Sequence, residues 1–206
     1  MINFRTDLAL ERRDLFKKAN NISNEVDGLE TQEESFTDDI KISRVKVLND
    51  NGEQAIGKRK GTYITIDIKN LKIAGEDEIQ KASEAVTKEL KNLIGALVDP
   101  QEDILVVGLG NLYVTPDALG PKVVNEIDIT RHLLNYMPDV LDKDTRPVSA
   151  IAPGVLGTTG IETLEVIKGI VENIHPKLII VIDALASRSI ERISSTVQLA
   201  DTGIVP

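Results

Sequence analysis

Two kinds of hydrophobic spacing divide the chain. In its second half, apolar residues come in short unbroken runs: Ile104-Leu105-Val106-Val107, Leu178-Ile179-Ile180-Val181-Ile182 and, more weakly, Val148–Ala152. Runs of that length suit strands covered on both faces, as in a parallel sheet beneath helices. In the first half the residues alternate. Ile40, Ile42, Val45 and Val47 alternate approximately with polar positions, and Tyr63–Ile68 does so more strictly. Asn51-Gly52 and Gly57 lie between them as turn residues, so an antiparallel pair is predicted. Helical spacing appears at Leu8, Leu10, Leu15 and Phe16, over Glu76–Leu97, over Asp117–Asn125 and over Gly160–Asn173, where Lys168 and Gly169 interrupt the apolar face. The acid-rich stretch 24–39 reads as a solvated loop or helix face. Strand–helix–strand–helix–strand order predicts the α/β class: an open, mostly parallel sheet plus a small antiparallel element.

Composition narrows the function classes. The chain has 206 residues, 41% of them hydrophobic, so it can bury a real core; aromatics are only 3%, so that core is aliphatic. A net charge of −9 disfavours direct nucleic-acid binding and docking on an anionic membrane. The absence of cysteine excludes disulfides, thiolate catalysis and Cys-based zinc sites in this chain. No run is long enough to span a bilayer, and the start has no secretory pattern, so a cytoplasmic location is expected.

In open α/β sheets, chemistry gathers beyond the carboxyl ends of the parallel strands. Three segments fall there: Gly108–Asp117, Pro153–Gly160 and Asp183–Ala186. Gly108-x-Gly110 could open a dinucleotide fingerprint, but Tyr113 stands where the third glycine belongs, and the glycines equally serve a tight turn. Asp117, after Thr115-Pro116, is a helix-cap candidate or a functional acid. Asp183 ends a run of five aliphatic residues, where a carboxylate must be solvated, paired, capping or functional. Two such acids in one cleft could share general-base and general-acid work on a peptide bond. Gly154, Gly157, Thr158, Thr159 and Gly160 make a loop whose N–H groups can hold an oxyanion or substrate backbone, or simply a loop. The two histidines, His132 and His175, cannot complete a three-ligand zinc site without carboxylates; no resident metal or cofactor is expected, with a metal-assisted variant of the carboxylate chemistry left open. Asp201-Thr202-Gly203 matches the triplet of pepsin-like proteases without their all-β context and is read as coincidence.

Longer strings are more specific. Gly108-Leu-Gly-Asn-Leu-Tyr-Val-Thr-Pro-Asp-Ala-Leu-Gly-Pro121, Ala152-Pro-Gly-Val-Leu-Gly-Thr-Thr-Gly-Ile-Glu-Thr163 and Ile182-Asp-Ala-Leu-Ala-Ser-Arg-Ser189 closely resemble the germination protease family of spore-forming Firmicutes, as do Gly61–Thr65 and Asp201–Pro206. The resemblance implies an endopeptidase that degrades small acid-soluble spore proteins in the spore core. It further implies a homotetrameric, self-processing zymogen with an α/β/α fold related to hydrogenase maturation endopeptidases. The family's two essential aspartates fall on Asp117 and Asp183. Thr6-Asp7-Leu8-Ala9-Leu10-Glu11 resembles the family's cleavage context, so processing is expected between Asp7 and Leu8. On that reading residues 1–7 are a propeptide and 8–206 a single protease domain, expected to be cut short at its C-terminus because family chains continue further.

Overall fold

The computed structural model describes residues 6–142 and 144–204. In chain order its elements are α1 (Ala9–Ala19), β1 (Leu29–Ser35), β2 (Ile40–Val47), α2 (Asp50–Ile56), β3 (Gly61–Ile68), α3 (Glu76–Gly95), β4 (Ile104–Gly108), α4 (Leu119–Glu126), α5 (Arg131–Tyr136), β5 (Val148–Ile151), α6 (Leu156–Thr159), α7 (Thr163–Ile174), β6 (Leu178–Ile182) and β7 (Thr196–Ala200). Contacts gather them into two units. One holds the residues up to Leu93 together with those from Leu185 onward, and the other runs Ile94–Ala184.

The first unit is built on an antiparallel sheet of order β1-β2-β3-β7. Its alternating residues feed two separate cores. Val45, Val47 and Tyr63 pack with Ala9 and Leu10 of α1 and with Ala55 and Ile56 of α2. Ile40, Ile42, Ile64, Ile66 and Ile68 pack with Ala82 and Ala85 of α3. The central strands are therefore covered on both faces, and in β2 the apolar residues switch from the α3 side (Ile40, Ile42) to the α1 and α2 side (Val45, Val47), which is why its alternation is only approximate in the sequence. Ser43 and Thr65, partners in register, are both buried.

This sheet is larger than the antiparallel pair predicted. The acid-rich stretch is not a loop or helix face: Leu29–Ser35 forms edge strand β1, in register with β2. Its acids point to solvent and meet basic partners diagonally across the ladder. Lys41 Nζ lies 2.5 Å from Glu33, and Arg44 Nη2 lies 2.8 Å from Glu34. An edge strand carrying charge resists pairing with another chain, and that same charge hides its strand character. The β2–β3 connection is also more than a turn. Asn49 accepts from the N–H groups of Asn51 and Gly52 and starts α2, and Gly57 ends it at φ 62°. These are standard start and stop residues for a helix. Strand β7 was not anticipated.

The second unit holds the predicted parallel sheet, in the order β5-β4-β6. The register pairs Ile104 with both Val148 and Leu178. β4, in the centre, is buried along its whole length, whereas β5 and β6 are half-buried edges and Ile179 is exposed. Only β4 thus matches the expectation of strands covered on both faces. α4 lies unusually close to this sheet. A Cβ on Gly108 would stand 2.2 Å from Gly120 O, and one on Gly120 would stand 2.3 Å from Leu109 O and 2.6 Å from Ile182 O. No side chain fits at either place, so two glycines let the helix start rest on the strand ends. Among the described residues no helix is long and apolar enough to cross a membrane.

Candidate active site

Three loops leave the carboxyl ends of β4, β5 and β6, and each carries one of the segments singled out from the sequence. The first runs Leu109–Ala118. Gly110 adopts φ 113°, and the space a Cβ would need is filled by Asp117 O at 2.0 Å. The loop folds back on itself. The Asn111 N–H donates to Asp117 Oδ2 at 2.8 Å and to Asp117 O at 3.1 Å, and the Tyr113 N–H donates to Asn111 Oδ1 at 3.0 Å. Asp117 therefore is not the cap of α4. No side chain caps that helix, and the carboxylate is turned into the loop instead. The following Ala118 is buried, whereas Leu112, Tyr113 and Val114 are exposed.

Asp183 follows the last residue of β6. Its Oδ1 accepts the N–H of Ala184 at 2.7 Å. The helix it might have capped does not form, because the chain stays extended until a single 3-10 turn at Ile190–Arg192. Among the described residues no protein group donates to Asp117 Oδ1 or Asp183 Oδ2, so each carboxylate keeps one oxygen for a water or a substrate. The two loops start side by side. The N–H of Leu109, first residue after β4, donates to Ile182 O at 2.8 Å, and Gly120 approaches both. Asp117 and Asp183 thus sit on loops leaving the same ends of hydrogen-bonded neighbour strands, each half-buried.

The third loop follows β5. Gly154 and Gly160 take φ 77° and 70° and bracket the single turn of α6. Most of its amides are already used: the N–H groups of Thr158 and Thr159 donate to Val155 O, and that of Gly160 to Leu156 O. The Thr158 and Thr159 hydroxyls also donate to Val155 O. Gly157 is exposed, and among the described residues its N–H has no acceptor. The N–H groups of Gly154 and Leu156 likewise have no acceptor among the described residues, so the Gly157 amide is one of several free donors in the loop.

Asp7 and Leu8 lie in the other unit and are firmly docked. Leu8 is 0% exposed. The Asp7 N–H donates to Ala186 O at 2.9 Å, and its carboxylate accepts the Ala186 N–H at 2.9 Å. Gln198 Nε2 donates to Asp7 O at 3.2 Å, and its Oε1 accepts the Ala9 N–H at 2.9 Å. Beside them, the buried carboxylate of Glu11 accepts from Thr6 Oγ1, Ser187 Oγ, the N–H groups of Arg188 and Ser189, and Arg192 Nη1. Burial pushes this carboxyl up, but the hydrogen bonds from Thr6, Arg188, Ser189 and Ser187 outweigh it and hold it below 4.5. Sequence reading missed Glu11 and Gln198 as organising groups, since nothing in spacing links a residue near the start to others some 180 positions on. Asp201-Thr202-Gly203 is structural. Asp201 Oδ1 accepts the Thr62 N–H at 2.8 Å, and Thr202 Oγ1 donates to Tyr63 OH at 3.0 Å. Among the described residues no three His, Asp or Glu side chains gather as metal ligands would.

A family model described as germination protease matches residues 7–206. A germination protease of Clostridium perfringens is 48% identical over 206 residues, which is all of this chain and 62% of its own length. That of Clostridium acetobutylicum is 49% identical over 208 residues, again 62% of its length. That of Priestia megaterium is 46% identical over 207 residues, covering 98% of this chain and 55% of the relative. The chain spans about three-fifths of the length of the curated relatives it matches.

Proposed function

The chain belongs to the germination protease family, and from that premise we propose that the full-length protein is an endopeptidase in which Asp117 and Asp183 act as the acid/base pair. One carboxylate takes a proton from water as it attacks the scissile carbonyl. The other gives a proton to the leaving amine. The Gly157 amide is a candidate donor to the oxyanion that forms between those steps. On the same reading the substrates are small acid-soluble spore proteins and the location is the spore core. The protein is made as a homotetrameric zymogen that cuts itself between Asp7 and Leu8. The parallel-sheet unit corresponds to the three-layer α/β/α architecture of hydrogenase maturation endopeptidases.

One observation carries the assignment of the pair. Leu109 and Ile182 are hydrogen-bonded at the ends of β4 and β6, so the loops bearing the two acids leave the same end of the sheet side by side. The test is cleavage of a spore-protein peptide by full-length wild type against Asp117→Asn and Asp183→Asn. Each variant should lose about 10²- to 10⁴-fold in rate, the usual worth of a positioned acid or base, and should melt where wild type does. Full self-processing by Asp183→Asn refutes the assignment.

A further inference from the structure

The bonds around Leu8 indicate what becomes of the new N-terminus once the chain is cut there, so this inference rests on the cleavage reading above. The Leu8 N–H donates to Thr6 Oγ1 at 3.2 Å, and that hydroxyl donates to Glu11 Oε2 at 2.5 Å. One hydroxyl group thus stands between the Leu8 nitrogen and a carboxylate that is 8% exposed. Hydrolysis adds the elements of water across the Asp7–Leu8 bond. The carbonyl carbon becomes the Asp7 carboxylate, and the nitrogen becomes the Leu8 amine, an ammonium at neutral pH. Thr6 departs with the released segment. Glu11 Oε2 then retains the Arg188 N–H at 3.0 Å but has lost its hydroxyl donor, just as a cation appears on the far side of the vacated place.

We propose that the Leu8 ammonium replaces the Thr6 hydroxyl as partner of Glu11. Cleavage then exchanges a hydrogen bond from a neutral hydroxyl for an enclosed ion pair, which pins the mature N-terminus to segment 187–192. Two features keep the nitrogen in place. Leu8 is fully buried, and the next amide, Ala9 N–H, stays bonded to Gln198 Oε1. Other charges also face the pair. Arg192 bonds Glu11 Oε1 at 3.2 Å and is itself paired with Asp67 at 3.1 Å. Arg12 Nε donates to Thr6 O at 2.8 Å, and Lys58 senses both Arg12 and Asp7. These cations and the positive end of α1 oppose a new ammonium. Direct contact with a largely buried carboxylate outweighs them, because charge interaction falls with distance and with solvent screening.

The experiment uses full-length protein fused to a removable N-terminal partner whose excision leaves Leu8 first, so the cut does not depend on self-processing. Trace acylation across pH, read by mass spectrometry, gives the pKa of the Leu8 amine. An ordinary α-amine titrates at about 7.7–8.0, and an adjacent opposite charge should raise it by about one unit or more. At pH 7 the wild-type amine should therefore acylate about tenfold more slowly than that of Glu11→Gln, with lysine labelling as internal standard. An ordinary pKa in the wild type overturns the proposal, whether or not the variant folds. N-terminal sequencing of self-processed protein separates the two possible failures. A start other than Leu8 overturns the cleavage reading and this inference with it; a Leu8 start with an ordinary amine overturns the inference alone.

Discussion

Gly120→Ala should destabilise the protein and impair its chemistry, although helix propensity argues the opposite. In an exposed helix, replacing glycine by alanine stabilises by about 1 kcal/mol. Gly120 lies in the first turn of α4 and needs no left-handed φ, so the backbone itself tolerates alanine. The space does not. The added Cβ would lie 2.3 Å from Leu109 O and 2.6 Å from Leu109 N and Ile182 O, all backbone atoms of the β4 and β6 ends. Side-chain carbons essentially never come nearer than 3.0 Å, so α4 must retreat by roughly 0.7 Å or the strand ends must part. Overpacking of this kind costs about 1–3 kcal/mol, which outweighs the propensity gain and lowers the melting temperature by about 2–4 °C for each net kcal/mol at this chain length. The retreat also shifts Asp117 against Asp183. A misplacement near 1 Å costs about 100-fold in rate when two groups must act together. Gly169→Ala is the matched control: Gly169 lies in α7, exposed, with nothing within 4 Å of its would-be Cβ. It should stabilise by about 0.5–1 kcal/mol and leave the rate unchanged. Urea unfolding and peptide cleavage, measured on both variants, decide the matter. A Gly120→Ala protein with a raised midpoint and intact turnover would show that the close approach of α4 is not what positions the two loops.

Three further outcomes follow from the first unit. Glu89 is 2% exposed and accepts from Arg44 Nη2 at 2.6 Å and Nε at 3.2 Å. Glu89→Ala should cost about 2–4 kcal/mol by stranding a half-buried guanidinium, while Glu34→Ala, at the solvated end of the same cluster, should cost under about 1; equal urea midpoints for the two variants would contradict this. The Glu11 carboxyl is held below its unfolded value, so its contribution is present above pH 4.5 and lost as pH falls through the lower folded value. The stability gap between wild type and Glu11→Gln should be full at pH 7 and shrink below pH 4.5, and a gap that persists undiminished at pH 2 counts against it. Asn49→Ala removes the cap of α2 and should cost about 1 kcal/mol by denaturant titration, whereas Asn51→Ala, which leaves the cap in place, should cost less.

Apolar spacing determined much of this chain. Strands β2 to β6, α1, α3 and α7 were legible from apolar periods or unbroken apolar runs along the chain, even where, as in β5, β6 and α7, the face is only half-buried. The strand-end rule then singled out Asp117 and Asp183, with helix capping as the alternative for each. What spacing could not carry was anything dependent on distant partners. β1 looked like a charged loop because an edge strand exposes its acids, and its strand character appears only once β2 lies beside it. β7, with its Thr-Val-Gln-Leu-Ala alternation, becomes a strand by pairing with β3 some 130 residues away. Asp117 turned out to bond its own loop rather than to cap α4, because Gly110 lets the chain double back. The docking of Thr6–Glu11 on segment 186–192 is likewise invisible in one dimension. Local periodicity records which side of an element is buried; which element comes to bury it is settled only when the chain closes on itself.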